Sequence, residues 1–503
     1  MKHAKRSARL PVLTADCRKI LPVPDRRRVY TYAGPDEYRA FVGQILACLG
    51  YSRAADTEAA DVCVRINADG PALMCRFMRD AGAERSFGPE RFAHKGRLKE
   101  LLLVMYGKAF DIMPSQWGVL TGVRPTKLVH RLWDNGLRPE ATPGYLHDRY
   151  GVAEDLANLL ADVAARQRPY VIGQGKGAAL YVGIPYCASH CLYCSFPSRL
   201  IGNERKGNLQ DFVRAVVADA RDAYVLCRDI GLRITSVYVG GGTPTALPAA
   251  LLARIIDAVR PFAAGGAEWT VEAGRPDTAT AEKLTLLRQA GVTRVSINPQ
   301  TMQRHILEKL SRRHGVKDIY AMFDTCRALD YDVINMDFIA GLPGQTEADM
   351  AENMDAVCQL CPENVTIHTL ALKKGAPLFR HSLRDEIPAA HLVEAMLNEV
   401  RRRLAEKEYV PYYLYRQTYM AASFANIGYA LPGKICAYNI EMMEERQTVL
   451  GIGPGSATKF IVAGREMKKL YMPKDIGQYV AALPERLVRR RSLCASIYEG
   501  VDE

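Results

Sequence analysis

From residue 179 onward, short β-rich runs alternate with segments of helical length. This alternation predicts parallel strands joined by right-handed crossovers, and therefore an α/β fold. Six units are too few for a closed eight-fold barrel, so we expect a partial (β/α)6 barrel with one open side, with an open sheet as the alternative. The six predicted strands are Ala179–Ile184, Ser236–Val239, Trp269–Val271, Arg294–Ile297, Val333–Ile339 and Asn364–His368.

Chemically unusual residues stand near the ends of these predicted strands. Three cysteines follow the first strand, a glycine-rich turn follows the second, and Glu272, Gln300 and Asp337 accompany the next three. Active sites of barrels built from parallel strands lie at the carboxyl ends of the strands. The sequence therefore predicts that these residues share one site at that edge of the sheet.

The three cysteines, Cys187, Cys191 and Cys194, form a Cys-x3-Cys-x2-Cys pattern on one short predicted loop. A structural zinc ion would need a fourth ligand, and His190 is the nearest candidate in the sequence. Three cysteines also suit a cubane iron–sulfur cluster in which one iron keeps an open position for a small molecule. Three buried thiols without any metal are the remaining alternative.

The other motifs each allow a functional and a structural interpretation. The glycines of Gly240–Thr245 permit close backbone approach to an amino or carboxylate group of a ligand, although an ordinary turn would look the same. Glu272 is either a ligand-binding carboxylate or a solvated loop acid. Asp337 lies in an otherwise apolar strand, where an uncompensated charge is costly, so we expect a partner or a ligand beside it.

Composition narrows the class of protein. The chain has 503 residues, 48% of them hydrophobic, and we find no run of 18 or more apolar residues, so no membrane span is expected. Thirteen mostly scattered cysteines do not resemble a secreted disulfide framework and favour a reducing cytoplasm. Residues 1–28 are rich in Lys and Arg but lack the apolar core of a secretory signal. Because no aromatic residues interleave with these charges, nucleic-acid binding is not expected.

Local patterns predict four regions along the chain. Residues 1–28 form a basic, flexible segment, and residues 29–172 form an amino-terminal accessory domain with an α/β part and a helical part. The glycine-rich stretch Gly173–Gly177 is the expected linker to the partial barrel, residues 173–375. Residues 376–503 form a carboxyl-terminal α/β extension.

An aromatic residue directly before the last cysteine, here Tyr193, completes a pattern that resembles the signature of radical S-adenosylmethionine (SAM) enzymes. The resemblance implies that Cys187, Cys191 and Cys194 hold a [4Fe–4S] cluster whose open iron binds SAM. In that superfamily an electron from the cluster cleaves SAM, and the resulting 5′-deoxyadenosyl radical abstracts a hydrogen from the substrate. The protein supplies orientation and excludes side reactions.

Further stretches are similar to the oxygen-independent coproporphyrinogen III dehydrogenase (oxidase) family, most of all to its HemZ-type branch. With Gly122–Lys127 included, the resemblance extends over about residues 110–470. It implies an oxidoreductase of haem biosynthesis that converts coproporphyrinogen III to protoporphyrinogen IX, uses one or two SAM molecules and receives electrons from an unidentified low-potential donor. The stretches are Leu180–Cys194, Gly240–Thr245, Val271–Thr278, Ser296–Gln300, Asp337–Thr346, Tyr412–Gln417 and Thr448–Phe460.

The resemblance also implies which residues contact SAM. They are Tyr181, Tyr193, Gly241, Gly242, Thr243, Glu272, Gln300, Arg312 and Asp337. A tetra-anionic tetrapyrrole additionally needs cationic groups beside a wide apolar floor. Candidates for substrate contact are Arg124, Lys127, Tyr415 and Arg416, the last two within an aromatic segment that could instead be a core strand with Arg416 exposed.

Three positions depart from the family pattern. Gly183 stands where established members carry a histidine, Phe196 where they carry a fourth cysteine, and Tyr438 where many carry a histidine before the asparagine. The three cluster cysteines are retained. Two other functions therefore stay open, namely a radical SAM enzyme that acts on another tetrapyrrole, and a haem-binding or haem-delivery protein that keeps the cluster.

Overall fold

The structure is a computed structural model that describes residues 28–48, 51–54, 60–67, 70–78, 84–93, 95–110, 116–118, 120, 123–172, 175–416, 424–462 and 464–498. Except for Arg28, the predicted basic segment 1–28 lies outside these residues, as do Gly122, Gln417 and the first two residues of the predicted linker. The chain divides into two compact units, Met1–Asp162 and Val163–Glu503. The domain boundaries expected from the sequence stay predictions.

The amino-terminal unit contains a five-stranded sheet in the order β2-β1-β3-β4-β5. Strand β1 runs parallel to β2 and β3, whereas β4 and β5 are antiparallel. The strands are β1 Arg28–Ala33, β2 Tyr51–Arg53, β3 Val62–Ile66, β4 Ala72–Met78 and β5 Glu84–Arg91. The helices are α1 Asp36–Cys48, α2 Lys95–Phe110, α3 Thr126–Asp134, α4 Thr142–Tyr150 and α5 Glu154–Val171, which runs across the division.

Residues of α1 and α2 pack with the sheet residues around one core. Leu46, Val62, Phe77, Leu102 and Tyr106 are among its buried members. Burial alternates along β3, as expected for a strand with one covered face.

The carboxyl-terminal unit is built on an eleven-stranded sheet in the order β14-β15-β13-β12-β11-β10-β9-β6-β16-β17-β18. Its strands are β6 Gly177–Ile184, β9 Arg233–Gly241, β10 Glu268–Gly274, β11 Arg294–Gln300, β12 Val333–Ala340, β13 Asn364–Thr369, β14 Val410–Arg416, β15 Ala425–Ala430, β16 Thr448–Ile452, β17 Ala457–Phe460 and β18 Lys468–Tyr471. Strands β7 Tyr186–Cys187 and β8 Arg199–Leu200 pair separately.

Nine helices of this unit lie wholly within it among the described residues. They are α6 Lys206–Ile230, α7 Ala249–Ala263, α8 Ala281–Gln289, α9 Arg304–Lys309, α10 Val316–Ala328, α11 Glu347–Leu360, α12 Ala390–Glu406, α13 Ala437–Glu444 and α14 Ile476–Tyr498. Within the part of the chain that the structure describes, no helix has the length and apolar character needed to cross a bilayer.

The six strands predicted from the alternation are β6 and β9 to β13, and each lies beside its neighbour in the sequence. All five of their pairings are parallel. The α/β fold with six parallel strand–helix units is therefore confirmed, and the described strands do not close into a barrel. A seventh parallel strand, β16, pairs with β6 from the other side.

Candidate functional site

The loop that carries Cys187, Cys191 and Cys194, here called the cysteine loop, follows β6 at the carboxyl ends of the parallel strands. Its base is closed where Tyr186–Cys187 pairs with Arg199–Leu200, and the amide of Arg199 donates to the carbonyl of Pro185 at 2.8 Å. A tight turn brings the Cys194 amide to 3.1 Å from the Cys191 carbonyl oxygen. All three cysteines are free thiols and half-buried. They are therefore accessible for ligation.

Each cysteine sulfur has a hydrogen-bond donor nearby. The hydroxyl of Thr243 lies 3.7 Å from Cys187 Sγ, the amide of Phe196 lies 3.4 Å from Cys194 Sγ, and Nη1 of Arg275 lies 3.9 Å from Cys191 Sγ. Donors of this kind stabilise thiolates, which are the ligands of iron–sulfur clusters.

The arrangement of the thiols fits a cluster better than a single metal ion. In the described residues, no group of three or more His, Cys, Asp or Glu side chains is placed to hold one metal ion. A cubane cluster does not need such convergence, because each cysteine binds a different iron. The residues present therefore fit a [4Fe–4S] cluster with one iron open.

The glycine-rich turn at the end of β9 is packed too closely for side chains. A Cβ atom on Gly240 would lie 2.8 Å from Cδ of Glu272, and one on Gly242 would lie 2.5 Å from the carbonyl oxygen of Tyr186. Gly241 has φ of +114°. The amides of Gly242 and Thr243 donate to the end of β6 and to the cysteine loop, at 2.8 and 2.7 Å. The turn thus joins the cysteine loop to Glu272.

Glu272 is held at the end of β10 by two donors. The hydroxyl of Tyr238 donates to its Oε1 at 2.7 Å, and the amide of Gly241 donates to its Oε2 at 3.2 Å. Burial raises the pKa of Glu272 to about 7, an effect that the hydrogen bond from Tyr238 opposes and that the charge of Asp337 reinforces. Glu272 is therefore a positioned carboxylate rather than a solvated loop acid.

Asp337 has the partners that its apolar strand led us to expect. The side-chain amides of Asn298 and Asn335 donate to its two oxygens at 2.6 and 2.7 Å. His368 Nε2 lies 3.9 Å from Asp337, and the other ring nitrogen of His368 lies 3.4 Å from the hydroxyl of Tyr415. Neighbouring strands thus place Asn298, Asn335, Asp337 and His368 in one connected polar layer on a face of the sheet.

Gln300 and Arg312 retain unused hydrogen-bonding atoms in buried positions. Gln300 ends β11 with φ of +69°, a left-handed conformation that is uncommon for a non-glycine residue. Arg312 donates to the hydroxyl of Tyr193 at 2.9 Å and to the carbonyl oxygen of Asn298. Among the described atoms, Gln300 Oε1 and Arg312 Nε have no hydrogen-bond partner. Buried polar atoms of this kind fit a site that takes a polar ligand.

Tyr181 belongs to a stack of three tyrosines. The ring of Tyr438 lies 4.5 Å from that of Tyr238 and 6.4 Å from that of Tyr181. Tyr438 is placed by Glu268, which accepts from the amides of Ala437 and Tyr438 at the start of α13. Tyr438, which departs from the family pattern, therefore lies on the face that carries the predicted SAM contacts.

The residues predicted to contact a substrate lie in different units. Arg124 immediately precedes Pro125 and α3, and Lys127 lies within α3, both half-buried in the amino-terminal unit. Tyr415 and Arg416 end β14, and both are half-buried. Arg416 is therefore not exposed, as it would be if this segment were only a core strand. Tyr415 is linked to the polar layer through His368, whose ring nitrogen lies 3.4 Å from the tyrosine hydroxyl.

Sequence reasoning missed several residues that shape this edge. They are Tyr238, Arg275, Asn298, Asn335 and His368. Asn335 and Asp337 are two residues apart, and this spacing puts both side chains on one face of β12. A polar pair with this spacing within a buried strand is a signal that could have identified Asn335.

Comparison with known proteins places the chain among related sequences. A family model described as the radical SAM superfamily matches residues 181–357. The oxygen-independent coproporphyrinogen-III oxidase-like protein HemZ of Bacillus subtilis is 35% identical over 353 residues, which are 69% of this chain and 70% of that protein. The heme chaperone HemW of Bacillus subtilis is 30% identical over 196 residues, 38% of this chain and 50% of that protein.

A solved structure supports the fold. The structure of coproporphyrinogen III oxidase (HemN) from Escherichia coli, a radical SAM enzyme, matches with a TM-score of 0.51 and 19% sequence identity. The match covers 66% of this chain and 79% of that chain.

Proposed function

This chain belongs to the radical SAM superfamily and to the family of HemZ, the coproporphyrinogen-III oxidase-like protein, and on that premise we propose that it decarboxylates coproporphyrinogen III oxidatively. The superfamily uses a [4Fe–4S] cluster and SAM, which together supply a 5′-deoxyadenosyl radical when bound. Each propionate would lose one hydrogen atom to that radical, and then one carbon dioxide and one electron, which would pass to a one-electron acceptor, to leave a vinyl group. The observation that carries the proposal is the 35% identity over 70% of the HemZ chain.

In this proposal Cys187, Cys191 and Cys194 hold the cluster. The SAM contacts are assigned to residues of the parallel strands and of the turns and loops that follow them. These residues are Tyr181, Tyr193, Gly241, Gly242, Thr243, Glu272, Gln300, Arg312 and Asp337. Support comes from the hydrogen bonds that join Gly241 to Glu272 and Tyr193 to Arg312. Unused acceptor and donor atoms of Gln300 and Arg312 would pair with the polar groups of SAM.

Two lysines beside the cysteine loop suit the carboxylates of the substrate. The loop after β13 packs on the cysteine loop, where the amide of Leu378 donates to the carbonyl of Leu192 at 2.8 Å. A Cβ atom on Gly375 would lie 3.9 Å from Cβ of Ser195, next to Cys194. Lys373 and Lys374 precede Gly375 and are exposed. They join Arg124, Lys127, Tyr415 and Arg416 as candidates for binding propionates.

A haem-binding or haem-delivery function is the second candidate. It is favoured by the similarity to the heme chaperone HemW, although this chain covers half the length of that protein. In either function we expect a cytoplasmic protein, and for the decarboxylation we also expect an unidentified low-potential electron donor.

The two functions predict different products. We would reconstitute the cluster without oxygen, add SAM, dithionite and coproporphyrinogen III, and follow 5′-deoxyadenosine and the tetrapyrrole by mass spectrometry. Cys191→Ala should abolish both products, whereas Cys361→Ala, which removes an exposed thiol from the end of α11, should retain them.

Loss of two carbon dioxides in step with 5′-deoxyadenosine would establish the dehydrogenase. If 5′-deoxyadenosine forms while the porphyrinogen is unchanged, the substrate is another molecule, and haem is the next one to add. If the wild-type protein has a confirmed cluster and binds haem but forms no 5′-deoxyadenosine, the proposed reaction is wrong and the delivery function is favoured.

A further inference from the structure

Arg275 reaches the cysteine loop from the turn after β10. Its Nη1 donates to Oγ of Ser189 at 2.7 Å and lies 3.9 Å from Cys191 Sγ. The side chain is only 4% exposed. Arg275 lies within the Val271–Thr278 stretch, but no role is predicted for it from the sequence, because Ser189 and Cys191 lie 86 and 84 residues away from it along the chain.

The guanidinium of Arg275 is fixed by a second contact and by its own backbone. Nε and Nη2 donate to the two oxygens of Asp277 at 2.9 and 2.8 Å, a bidentate pair. The amides of Thr278 and Ala279 both donate to the Arg275 carbonyl oxygen at 3.0 Å. This leaves Nη1 as the group directed at the cysteine loop.

The turn that carries Arg275 is also tied to the glycine-rich turn. Gly274 has φ of +73°, and a Cβ atom there would lie 3.1 Å from Cγ2 of Thr243. Thr243 in turn approaches Cys187. The turns after β9 and β10 therefore each place a side chain close to a different cysteine of the cluster motif.

We propose that Arg275 is a positioning residue that orients the cysteine loop through Ser189 and raises the reduction potential of the cluster through its charge beside Cys191. The reduced cluster carries one more negative charge than the oxidised cluster, so a nearby cation stabilises it, and hydrogen bonds to ligand sulfur act in the same direction. Asp277 holds the guanidinium in place and offsets part of its charge. The inference concerns the cluster alone and does not depend on the tetrapyrrole substrate.

Arg275 and Asp277 carry opposite charges. Substitutions that remove one charge or the other therefore distinguish an electrostatic effect on the cluster from damage to the cysteine loop. In Arg275→Met the cation is lost, and the reduction potential should fall. In Asp277→Asn the shape of the side chain is kept while the offsetting charge is lost, so the potential should rise. Arg275→Lys keeps a cation and should stay closer to the wild type than Arg275→Met. Damage to the loop would shift the first two variants in the same direction.

The experiment is a redox titration of the reconstituted holoprotein without tetrapyrrole, followed by the electron paramagnetic resonance signal of the reduced cluster. At a fixed potential, Arg275→Met should lower the ratio of reduced to oxidised cluster on the order of tenfold, a shift of about 59 mV for a one-electron couple. Arg260→Met is the control. It removes an exposed arginine that pairs with Asp257 on α7, and it should leave the potential unchanged.

Opposite shifts in Arg275→Met and Asp277→Asn support the proposal. Equal potentials in Arg275→Met and the wild type, or shifts of the same sign in the two variants, overturn it. If Arg275→Met does not retain a cluster, the comparison rests on the other variants. A raised potential in Asp277→Asn with a near wild-type value in Arg275→Lys then supports the proposal, and a wild-type potential in Asp277→Asn overturns it.

Discussion

Glu272 shows how one buried carboxyl group connects the site to stability. It accepts hydrogen bonds from Tyr238 and Gly241, yet burial still raises its pKa to about 7. A carboxyl group whose folded pKa is higher than its unfolded value, about 4.3, favours folding at low pH. This contribution is complete below the unfolded pKa and is lost as the pH rises through the folded pKa. Glu272 therefore costs stability at neutral pH in the absence of ligand.

Glu272→Gln should accordingly become more stable relative to the wild type as the pH rises. The glutamine is neutral throughout, so the difference in unfolding free energy should move in favour of the variant between about pH 4.5 and 8, by on the order of 3 kcal/mol. Thermal melts of the cluster-free protein across this range measure the difference. A difference that does not vary with pH would show that Glu272 titrates normally.

Helix α14 is held in the carboxyl-terminal unit by a buried ion-pair network. Arg490 is fully buried, and its Nη1 and Nη2 donate to Asp219 at 2.6 Å and to Asp222 at 2.7 Å. Asp219 also accepts from the hydroxyl of Tyr479 at 2.7 Å and from the amide of Gly453 at 3.1 Å. Gly453 packs directly on Gly183, where a Cβ atom on Gly453 would lie 2.4 Å from the Gly183 carbonyl oxygen. The network thereby fixes the end of β16 against β6.

Arg490→Met should destabilise the carboxyl-terminal unit strongly, because it leaves Asp219 buried without its cation, whereas Asp222 keeps its pair with Arg491. Loss of one partner of a buried pair costs roughly 3–5 kcal/mol. Arg489→Met, at an exposed position of the same helix, is the control and should change stability little. Chemical denaturation followed by circular dichroism compares the two. Equal effects of both substitutions would contradict the role assigned to Arg490.

The chain forms two compact units, and the hydrophobic core built around the five-stranded sheet lies within the amino-terminal unit. Units with separate cores commonly unfold as separate cooperative transitions. Leu46 is fully buried in the amino-terminal core, and Arg490 is fully buried in the carboxyl-terminal unit. Substitutions at these two positions therefore report on different units.

Differential scanning calorimetry should show two transitions. Leu46→Ala should lower only one of them, by an amount that corresponds to about 2–5 kcal/mol, and Arg490→Met should lower only the other. A single transition that both substitutions shift would show that the two units unfold together.

Local patterns in the sequence determined the strand–helix alternation, the six parallel strands and the three cysteines on one loop. These features are readable because hydrophobic periodicity and ligand spacing act over a few residues. The loop position of Cys187, Cys191 and Cys194 likewise needed no knowledge of distant residues.

Only the tertiary structure decided which side chains meet. Asn298 reaches Asp337 across 39 residues, Arg275 reaches Cys191 across 84, and Arg490 reaches Asp219 across 271. Likewise, β16 is a buried run whose sequence does not indicate that it pairs in parallel with β6. Such contacts follow from strand order and register, which depend on the packing of the whole sheet, so no short window of sequence contains them.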